Sequence, residues 1–218
     1  HQLINQYLSA KNLPMLAGGT GLYLEAVLYG YVIPNLQEES FKLRERLEKL
    51  KEGELYQKLQ KLDPKAAEKI DPQNKRRIIR ALEVSILSKK PFSAQQKKRK
   101  TNFDALIIGI KTDRQTLYAK IDARIEEMIK EGLVEEVRKL LEKYQPDLPA
   151  FNTIGYKEII DYLNGRQTLK EAIQKIKFNT HAYIRRQETW FRRDKNIKWV
   201  ENISEAEKLI EKFLKNNA

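Results

Sequence analysis

The stretch MLAGGTGLYLEAVLYG, from Met15 to Gly30, predicts a unit of a parallel α/β sheet, because a short apolar run enters a glycine turn and leaves it with a helical pattern. Phosphate-binding loops begin in this way, since small residues let backbone N–H groups approach an anion at a helix N-terminus. A nucleotide P-loop, however, carries Lys and Ser or Thr directly after its last glycine. Here Gly21 is followed by Leu22 and Tyr23, so this turn lacks the side chains that bind nucleotide phosphates and magnesium.

The composition excludes several classes of protein. The 218 residues are 41% hydrophobic, enough for one good core, and contain 42 Lys and Arg against 30 Asp and Glu, a net charge of +12. This surplus indicates a polyanionic partner such as nucleic acid, although a merely soluble, lysine-rich protein would also have it. Cys is absent, which excludes disulfides, thiolate metal sites and cysteine nucleophiles and fits a reducing cytoplasm. Since no apolar run approaches the length of a membrane span, we predict a cytoplasmic protein with no membrane contact.

The order of elements predicts an α/β core with a helical insertion. Residues 12–19, NLPMLAGG, predict a short strand between two helices, and residues 103–112, FDALIIGIKT, predict a buried strand that returns the chain to the same parallel sheet. Residues 37–101 have the pattern of charged, amphipathic helices. We therefore predict a core from residues 1–36 and 102–218, a helical insertion domain over residues 37–101, and a helix-rich chain overall.

The stretch DPQNKRRIIRALEVS places several arginines on one predicted helix beside an apolar face. Arg77 and Arg80 are three residues apart, and Arg76 and Arg80 are four apart, so they share one side of the helix. Such a row could bind successive phosphates, because a guanidinium donates two parallel hydrogen bonds to a phosphate. The alternative is a solvated face in which Arg80 pairs with Glu83 or Glu68.

Two further arginines lie in KTDRQTLYAKIDARIEEM. Thr112 or Asp113 is predicted to cap the helix that follows the strand, and Gly132 to break it. Arg114 occupies the first turn of this helix, and ligands of open α/β sheets bind at the carboxyl ends of strands. Arg124 lies almost three turns along the same helix. It could bind an anion, or it could form an ion pair with Glu127 of its own helix, where Lys120 would repel it.

The stretch FNTIGYKEIIDYLNG predicts a helix capped by Asn152 or Thr153. Gly155, Tyr156 and Lys157 at its N-terminus could hold a nucleotide backbone, because the glycine permits a close approach. The alternative for Gly155 is close packing of helices.

The stretch THAYIRRQETWFRRD interleaves Tyr183, Trp190 and Phe191 with basic residues. RNA bases can stack on aromatic rings while arginines bind phosphates, so this helix could form an RNA surface. Alternatively, Trp190 and Phe191 belong to the core and the arginines extend outward. The arginines concerned are Arg185, Arg186, Arg192 and Arg193.

Five motifs in one order closely resemble those of the tRNA dimethylallyltransferases, which prenylate the adenosine beside the anticodon. The motifs are GGTGLYLEAVLYG, NKRRIIRALEV, DRQTLYAKIDARIEEMIKEGLVEEV, TIGYKEI and YIRRQETWFRR. They extend over nearly the whole chain to about Arg193, and an ordered set is much more specific than a single short pattern. The resemblance implies a P-loop-type parallel-sheet core with a helical insertion. It also implies Mg²⁺-dependent transfer of a dimethylallyl group from its diphosphate to N6 of adenosine 37, in tRNAs that read codons beginning with U.

The resemblance further implies roles for individual residues. Arg124 is the candidate for binding the diphosphate, and Arg114 is a second, weaker one. The turn from Gly18 to Thr20 would serve the tRNA side of the reaction channel, with Thr20 offering a hydroxyl. The positions that resemble tRNA contacts of the family are Thr20, Arg44, Arg76, Arg77, Arg80, Gly155, Tyr156 and Lys157. The expected partners are the anticodon arm of tRNA and dimethylallyl diphosphate, no residue is implied as a metal ligand, and the protein is expected to be a monomer.

The chain also departs from the family pattern. The family's P-loop, of the form G-P-T-A-S-G-K-T, and the aspartate that acts on the adenine N6 are missing, and we expect them to precede His1. A fragment without them is expected to have little or no transferase activity alone. Where the family usually shows Thr-Arg-x-Tyr-Ala-Lys-Arg-Gln, this chain has His181, Ile184 and Arg185 at the second, fifth and sixth places.

Two alternatives to a tRNA prenyltransferase remain, an adenine-nucleotide prenyltransferase and a non-catalytic RNA-binding module.

Overall fold

The computed structural model describes residues 1–30, 37–95 and 103–217. The chain divides into two compact units, His1–Asp104 and Ala105–Ala218. The regular elements described in the first unit are helices. They are α1 (Gln2–Ser9), α2 (Gly21–Leu28), α3 (Gln37–Glu48), α4 (Glu52–Leu62), α5 (Pro64–Ala67), α6 (Lys75–Ser88) and α7 (Phe92–Gln95).

The core of the first unit lies between α4 and α6. Leu55 and Leu59, four residues apart, are fully buried on α4, as are Ile78 and Leu82 on α6. This spacing places each pair on one helix face, and burying each such side chain contributes about 2 kcal/mol. Helix α6 begins where Asn74 accepts a hydrogen bond from the backbone N–H of Arg77.

The strand predicted for residues 12–19 is not formed. Residues 12–18 have no regular secondary structure, and Leu13, Met15 and Leu16 are 49%, 86% and 54% exposed. A strand is defined by hydrogen bonds to a neighbouring strand, and the described residues offer this segment no such neighbour. The apolar run is therefore present but unpaired.

The second unit combines helices with a small parallel sheet. Strand β1 pairs with β2 in the register Ile108 to Lys198, Gly109 to Trp199 and Ile110 to Val200. The predicted strand therefore forms, but it is short, and Ile110 is 79% exposed rather than buried. The elements are β1 (Ile108–Ile110), α8 (Arg114–Lys130), α9 (Leu133–Lys143), a 3₁₀ helix (Pro149–Asn152), α10 (Tyr156–Leu163), α11 (Leu169–Phe191), β2 (Lys198–Val200) and α12 (Ile203–Asn217).

Helices α8 to α11 share one core, which includes Ile125, Val137 and Ile176. Asp113 caps α8 by accepting a hydrogen bond from the backbone N–H of Thr116 at 2.9 Å. Gly132, with a φ of +107°, separates α8 from α9, as its place in the sequence predicts. These local signals fix where the second unit's arginine-bearing helices begin and end.

The chain is helix-rich, as predicted, and its described residues form a parallel sheet of two strands, while the P-loop-type core stays a prediction. The predicted boundary residues 36, 101 and 102 lie outside the described residues, so the division into a core and an insertion over residues 37–101 stays a prediction. Across residues 1–30, 37–95 and 103–217, no helix is both long and apolar enough to cross a membrane.

Candidate nucleic-acid interface

Glu83 is a fully buried carboxylate on α6 that binds two arginines of the first unit. Its Oε2 accepts hydrogen bonds from Nη1 of Arg80 at 2.9 Å and from Nη2 of Arg44 at 3.1 Å. Its Oε1 accepts one from the hydroxyl of Ser40 on α3. The Arg80 and Arg44 side chains remain 39% and 45% exposed. The carboxylate thus holds two guanidinium groups at the surface.

The charge state of Glu83 follows from these contacts. Burial raises the pKa of the Glu83 carboxyl, but hydrogen bonds from Ser40 and Arg80 and the charge of Arg44 outweigh it and leave the pKa below the ordinary 4.5. The group is therefore ionised at neutral pH, and two arginines with one glutamate give the cluster a net positive charge. The spacing of three residues indicates the Arg80–Glu83 pair in the sequence, whereas Arg44 lies on another helix and no sequence pattern identifies it as a partner.

Arg76 and Arg77 extend the same helix face toward the N-terminus of α6. Both are exposed, and in the described ranges no carboxylate lies within 4.0 Å of either guanidinium. The positive end of the helix dipole adds to their charge. With Arg44 and Arg80, they form a basic surface, hereafter the arginine face, which suits phosphate groups.

Thr20 lies at the N-cap position of α2, with its hydroxyl making no capping hydrogen bond. Its carbonyl oxygen accepts from the N–H groups of Tyr23 and Leu24 at 3.0 and 3.2 Å, so the backbone of the turn is fixed while the side chain is exposed. At Gly18, an added Cβ would meet no heavy atom within 4 Å. The turn is open enough for another backbone to approach it.

A buried glutamate also organises the second unit's predicted RNA-binding turn. Gly155 has a φ of +101° and precedes α10, and its N–H donates to Oε2 of Glu158 at 2.8 Å. Oε1 of Glu158, a residue only 4% exposed, accepts from Nδ2 of Asn179 on α11 at 2.7 Å. Glu158 therefore ties the turn to both α10 and α11.

The predicted cap of α10 by Asn152 or Thr153 is wrong. Asn152 ends the 3₁₀ helix, and the hydroxyl of Thr153 donates backward to the carbonyl oxygen of Ala150 at 2.8 Å. Gly155 occupies the cap position instead, because its positive φ lets the chain turn into the helix there.

Tyr156 and Lys157 follow Gly155, and they differ in whether the side chain is already bound to another residue. The hydroxyl of Tyr156 donates to Glu136 of α9. This hydrogen bond, with burial and the carboxylate's charge, raises the pKa of Tyr156 above 10.0, so the hydroxyl remains a donor. Lys157 is exposed, and its ammonium forms no ion pair with the described residues. The tyrosine is fixed, while the lysine can bind an anion.

Arg114 and Arg124 lie on α8 in different surroundings. Nη2 of Arg114 donates to Oε2 of Glu188 on α11 at 2.5 Å. Arg124 is exposed, and no carboxylate in the described part of the chain lies within 4.0 Å of it, so the alternative pairing with Glu127 is not formed. Of the two, Arg124 has the guanidinium that is available to an anion.

His181, which departs from the resembled pattern, connects α8 and α11. Its Nε2 lies 2.8 Å from Oδ1 of Asp122, and its ring stacks on Tyr118 with centroids 3.9 Å apart and planes 4° from parallel. Nη1 of Arg185 donates to the Tyr118 hydroxyl at 3.2 Å. The sequence does carry a signal for this cluster, because each helix contributes two of these residues at a spacing of four.

The aromatic residues of α11 are more exposed than a core position requires. Trp190 is 38% exposed and Tyr183 is 40% exposed, so the core alternative does not hold for Trp190. The guanidinium of Arg186 lies 5.8 Å from the centroid of the Tyr183 ring, within the range of a cation–π interaction. This face of α11 presents rings and cations together.

A family model, named relatives and a solved structure all match this chain and agree on the kind of protein that it resembles. A family model described as IPP transferase matches residues 1–194. A protein of Natranaerobius thermophilus named tRNA dimethylallyltransferase is 46% identical over 94% of this chain and 63% of its own length. One of the same name from Anoxybacillus flavithermus is 39% identical over 91% and 64%. The crystal structure of the full-length tRNA isopentenylpyrophosphate transferase of Bacillus halodurans superimposes with a TM-score of 0.62 at 34% identity, over 99% of this chain and 70% of that one. The chain thus spans slightly under two thirds of the first two relatives.

Proposed function

This chain belongs to the IPP transferase family, and on that premise we propose that it is part of a tRNA dimethylallyltransferase. The enzyme transfers a dimethylallyl group from dimethylallyl diphosphate to N6 of adenosine 37 in tRNAs that read codons beginning with U. The observation that carries the proposal is the arginine face, where buried Glu83 holds Arg44 and Arg80 at the surface. Such a surface suits the backbone of a folded RNA more than a small acceptor.

The reaction requires positive charge at the diphosphate, which we assign to arginines of the second unit. A bond forms between N6 and the allylic carbon, the bond from that carbon to the diphosphate oxygen breaks, and the diphosphate leaves with the electron pair. N6 gives its proton to a general base. Cations that bind the diphosphate stabilise its developing charge. Arg124, which is exposed and has no ion pair among the described residues, supplies this charge. Arg114, held by Glu188, is the second candidate.

Magnesium, when bound, would neutralise further charge on the diphosphate. Within residues 1–30, 37–95 and 103–217, no group of three or more His, Asp or Glu side chains could hold a metal ion. Mg²⁺ at a diphosphate is usually held by the phosphates with only one or two carboxylates, so we name no magnesium ligand. We therefore assign only the arginine contributions to this chain.

We further propose that the phosphate-binding loop and the general base belong to a part of the enzyme outside this chain, which alone is inactive. Two observations support this proposal. The chain spans 63% and 64% of the length of two relatives, and Leu13, Met15 and Leu16 form an exposed apolar run that no described strand pairs with. Such a run suits pairing with a neighbouring strand. We propose a cytoplasmic, monomeric enzyme.

The test is transfer of radiolabelled dimethylallyl to an anticodon stem-loop with adenosine at the target position and its neighbours. This chain is compared with the same chain extended at its N-terminus by the upstream coding sequence. Transfer by the extended protein alone is the expected result. Tight stem-loop binding without transfer by either protein would instead indicate a non-catalytic RNA-binding module, and competition by AMP would indicate a nucleotide acceptor.

A further inference from the structure

We propose that Glu83 is a positioning residue that holds Arg44 and Arg80 together as one phosphate-binding pair on the arginine face. The inference rests on the proposed function, because the phosphate belongs to the backbone of the bound RNA. It assigns a role to a residue that does not itself contact the RNA and that carries the charge opposite to the one expected at such a surface.

The geometry brings the two guanidinium groups close to each other. Both donate to the same oxygen, Oε2 of Glu83, at 2.9 and 3.1 Å, so the two donor nitrogens lie at most about 6 Å apart. An N–H···O hydrogen bond is about 2.9 Å long, so a single phosphate can accept from both arginines. Each guanidinium has five N–H donors, and the bond to Glu83 leaves the others for such a ligand.

The buried carboxylate is what makes this pair stable. Two like charges at this distance repel each other, and Arg44 lies on α3 while Arg80 lies on α6. Ser40, also on α3, donates to the other oxygen of Glu83, which fixes the carboxylate relative to both helices. Since Glu83 is 0% exposed, water does not reach its carboxylate to replace these donors.

Glu83 acts here as a charge and not as a neutral acid. Burial raises its pKa, but the hydrogen bonds from Ser40 and Arg80 and the charge of Arg44 leave it lowered, so the group is ionised at the pH of a binding assay. Glu83→Gln therefore removes one negative charge from the protein. By electrostatics alone, that change would tighten binding to RNA, whereas loss of positioning weakens it, so the two effects have opposite signs.

The experiment measures the affinity of this chain for the anticodon stem-loop at several salt concentrations. Glu83→Gln is expected to raise the Kd about fivefold or more and to make log Kd less dependent on log salt, by about 0.7 to 0.9 for each phosphate that the variant no longer binds. The matched control is Glu68→Gln, since Glu68 is an exposed glutamate of the same unit without an ion pair among the described residues. It removes the same charge and should leave the Kd unchanged or slightly lower.

A second set of variants separates positioning from loss of folding. Glu83→Asp keeps the charge but withdraws the carboxylate by one methylene, and it should also raise the Kd. In an Arg44→Gln, Arg80→Gln background, Glu83→Gln should add no further loss of affinity. Equal or tighter binding by Glu83→Gln, when the wild-type chain does bind, would overturn this inference alone. A wild-type chain that does not bind the stem-loop would overturn this inference as well, whereas absence of transfer by the N-terminally extended protein would overturn the proposed function.

Discussion

Glu83 in the first unit and Glu158 in the second are both buried beneath residues predicted to bind tRNA, but they organise their surroundings differently. Glu83 accepts hydrogen bonds from two charged arginine side chains, whereas Glu158 accepts from the N–H of Gly155 and an uncharged amide. The first carboxylate therefore fixes where positive charge lies, and the second fixes how the backbone turns. Removing them should change different properties, and this difference can be measured.

The largest loss of stability is expected for Glu158→Ala. The change leaves the N–H of Gly155 and the amide of Asn179 without their acceptor, and each unsatisfied donor costs about 1 to 3 kcal/mol. We expect the free energy of unfolding to fall by about 3 kcal/mol in urea denaturation. Glu142→Ala, at an exposed position on α9, is the control. A loss no larger than that of the control would show that Glu158 does not hold the turn.

Glu83→Gln should cost less, about 2 kcal/mol, because its partners are partly exposed and water can solvate them. The folded pKa of Glu83 lies below the ordinary 4.5, so its contribution is fully present above that value and declines as the pH falls through the folded pKa. The difference in unfolding free energy between wild type and variant should therefore be constant near pH 7 and shrink below about pH 4.5. A difference that does not vary down to about pH 3 would contradict this assignment.

Gly155→Ala tests the backbone side of the comparison. A Cβ at Gly155 would meet nothing within 4 Å, yet its φ is +101°, so the expected cost of about 1 to 2 kcal/mol is backbone strain and not a clash. Gly132→Ala is a matched control, because Gly132 has a φ of +107° and equally open space. Both should lower the unfolding free energy, Gly155→Ala by more, because the ψ of −60° at Gly155 lies outside the left-handed region that Gly132 occupies with a ψ of +24°. Only Gly155→Ala should weaken stem-loop binding. Equal binding by the two variants would remove the turn from the RNA interface.

The contrast between the glutamates also marks how far the sequence can predict this structure. The spacing of Arg80 and Glu83 indicates the ion pair that forms, and the cap at Asp113 and the break at Gly132 are confirmed, because these signals involve residues within one or two helical turns. The contact of Arg44 with Glu83 joins residues 39 positions apart. No local period encodes such a contact, since it depends on how α3 packs against α6.

The wrong predictions also concern features that depend on tertiary contacts or backbone conformation and that residue type alone does not determine. Residues 12–19 have the composition of a strand, but a strand also needs a neighbour, which the described residues do not supply. Thr153 is a good cap by residue type, yet Gly155 takes that position because only glycine adopts its backbone conformation without strain. Trp190 is a core candidate by its size, and its 38% exposure shows that aromatic composition alone does not decide burial.

The smallest changes in stability are expected on α8, where a carboxylate partner distinguishes two arginines. Arg114→Gln removes a partly exposed ion pair with Glu188 and should lower the free energy of unfolding only slightly, while Arg124→Gln should leave it unchanged. The two variants should rank in the opposite order when dimethylallyl transfer by the N-terminally extended enzyme is measured. Arg124→Gln should lower kcat about 100-fold, the scale of losing one charge-stabilising donor, and Arg114→Gln should lower it less, because Arg114 is already bound to Glu188.

Arg138→Gln on α9 is the control for these kinetics, since Arg138 is an exposed arginine that pairs with Glu135 at 3.2 Å and has no proposed role. It should leave kcat unchanged. Equal losses at Arg114 and Arg124 would contradict the argument that a carboxylate partner decides which guanidinium is available to the diphosphate. A larger loss at Arg114 would mean that Glu188 positions Arg114 for the diphosphate, as Glu83 is proposed to position Arg44 and Arg80 for RNA.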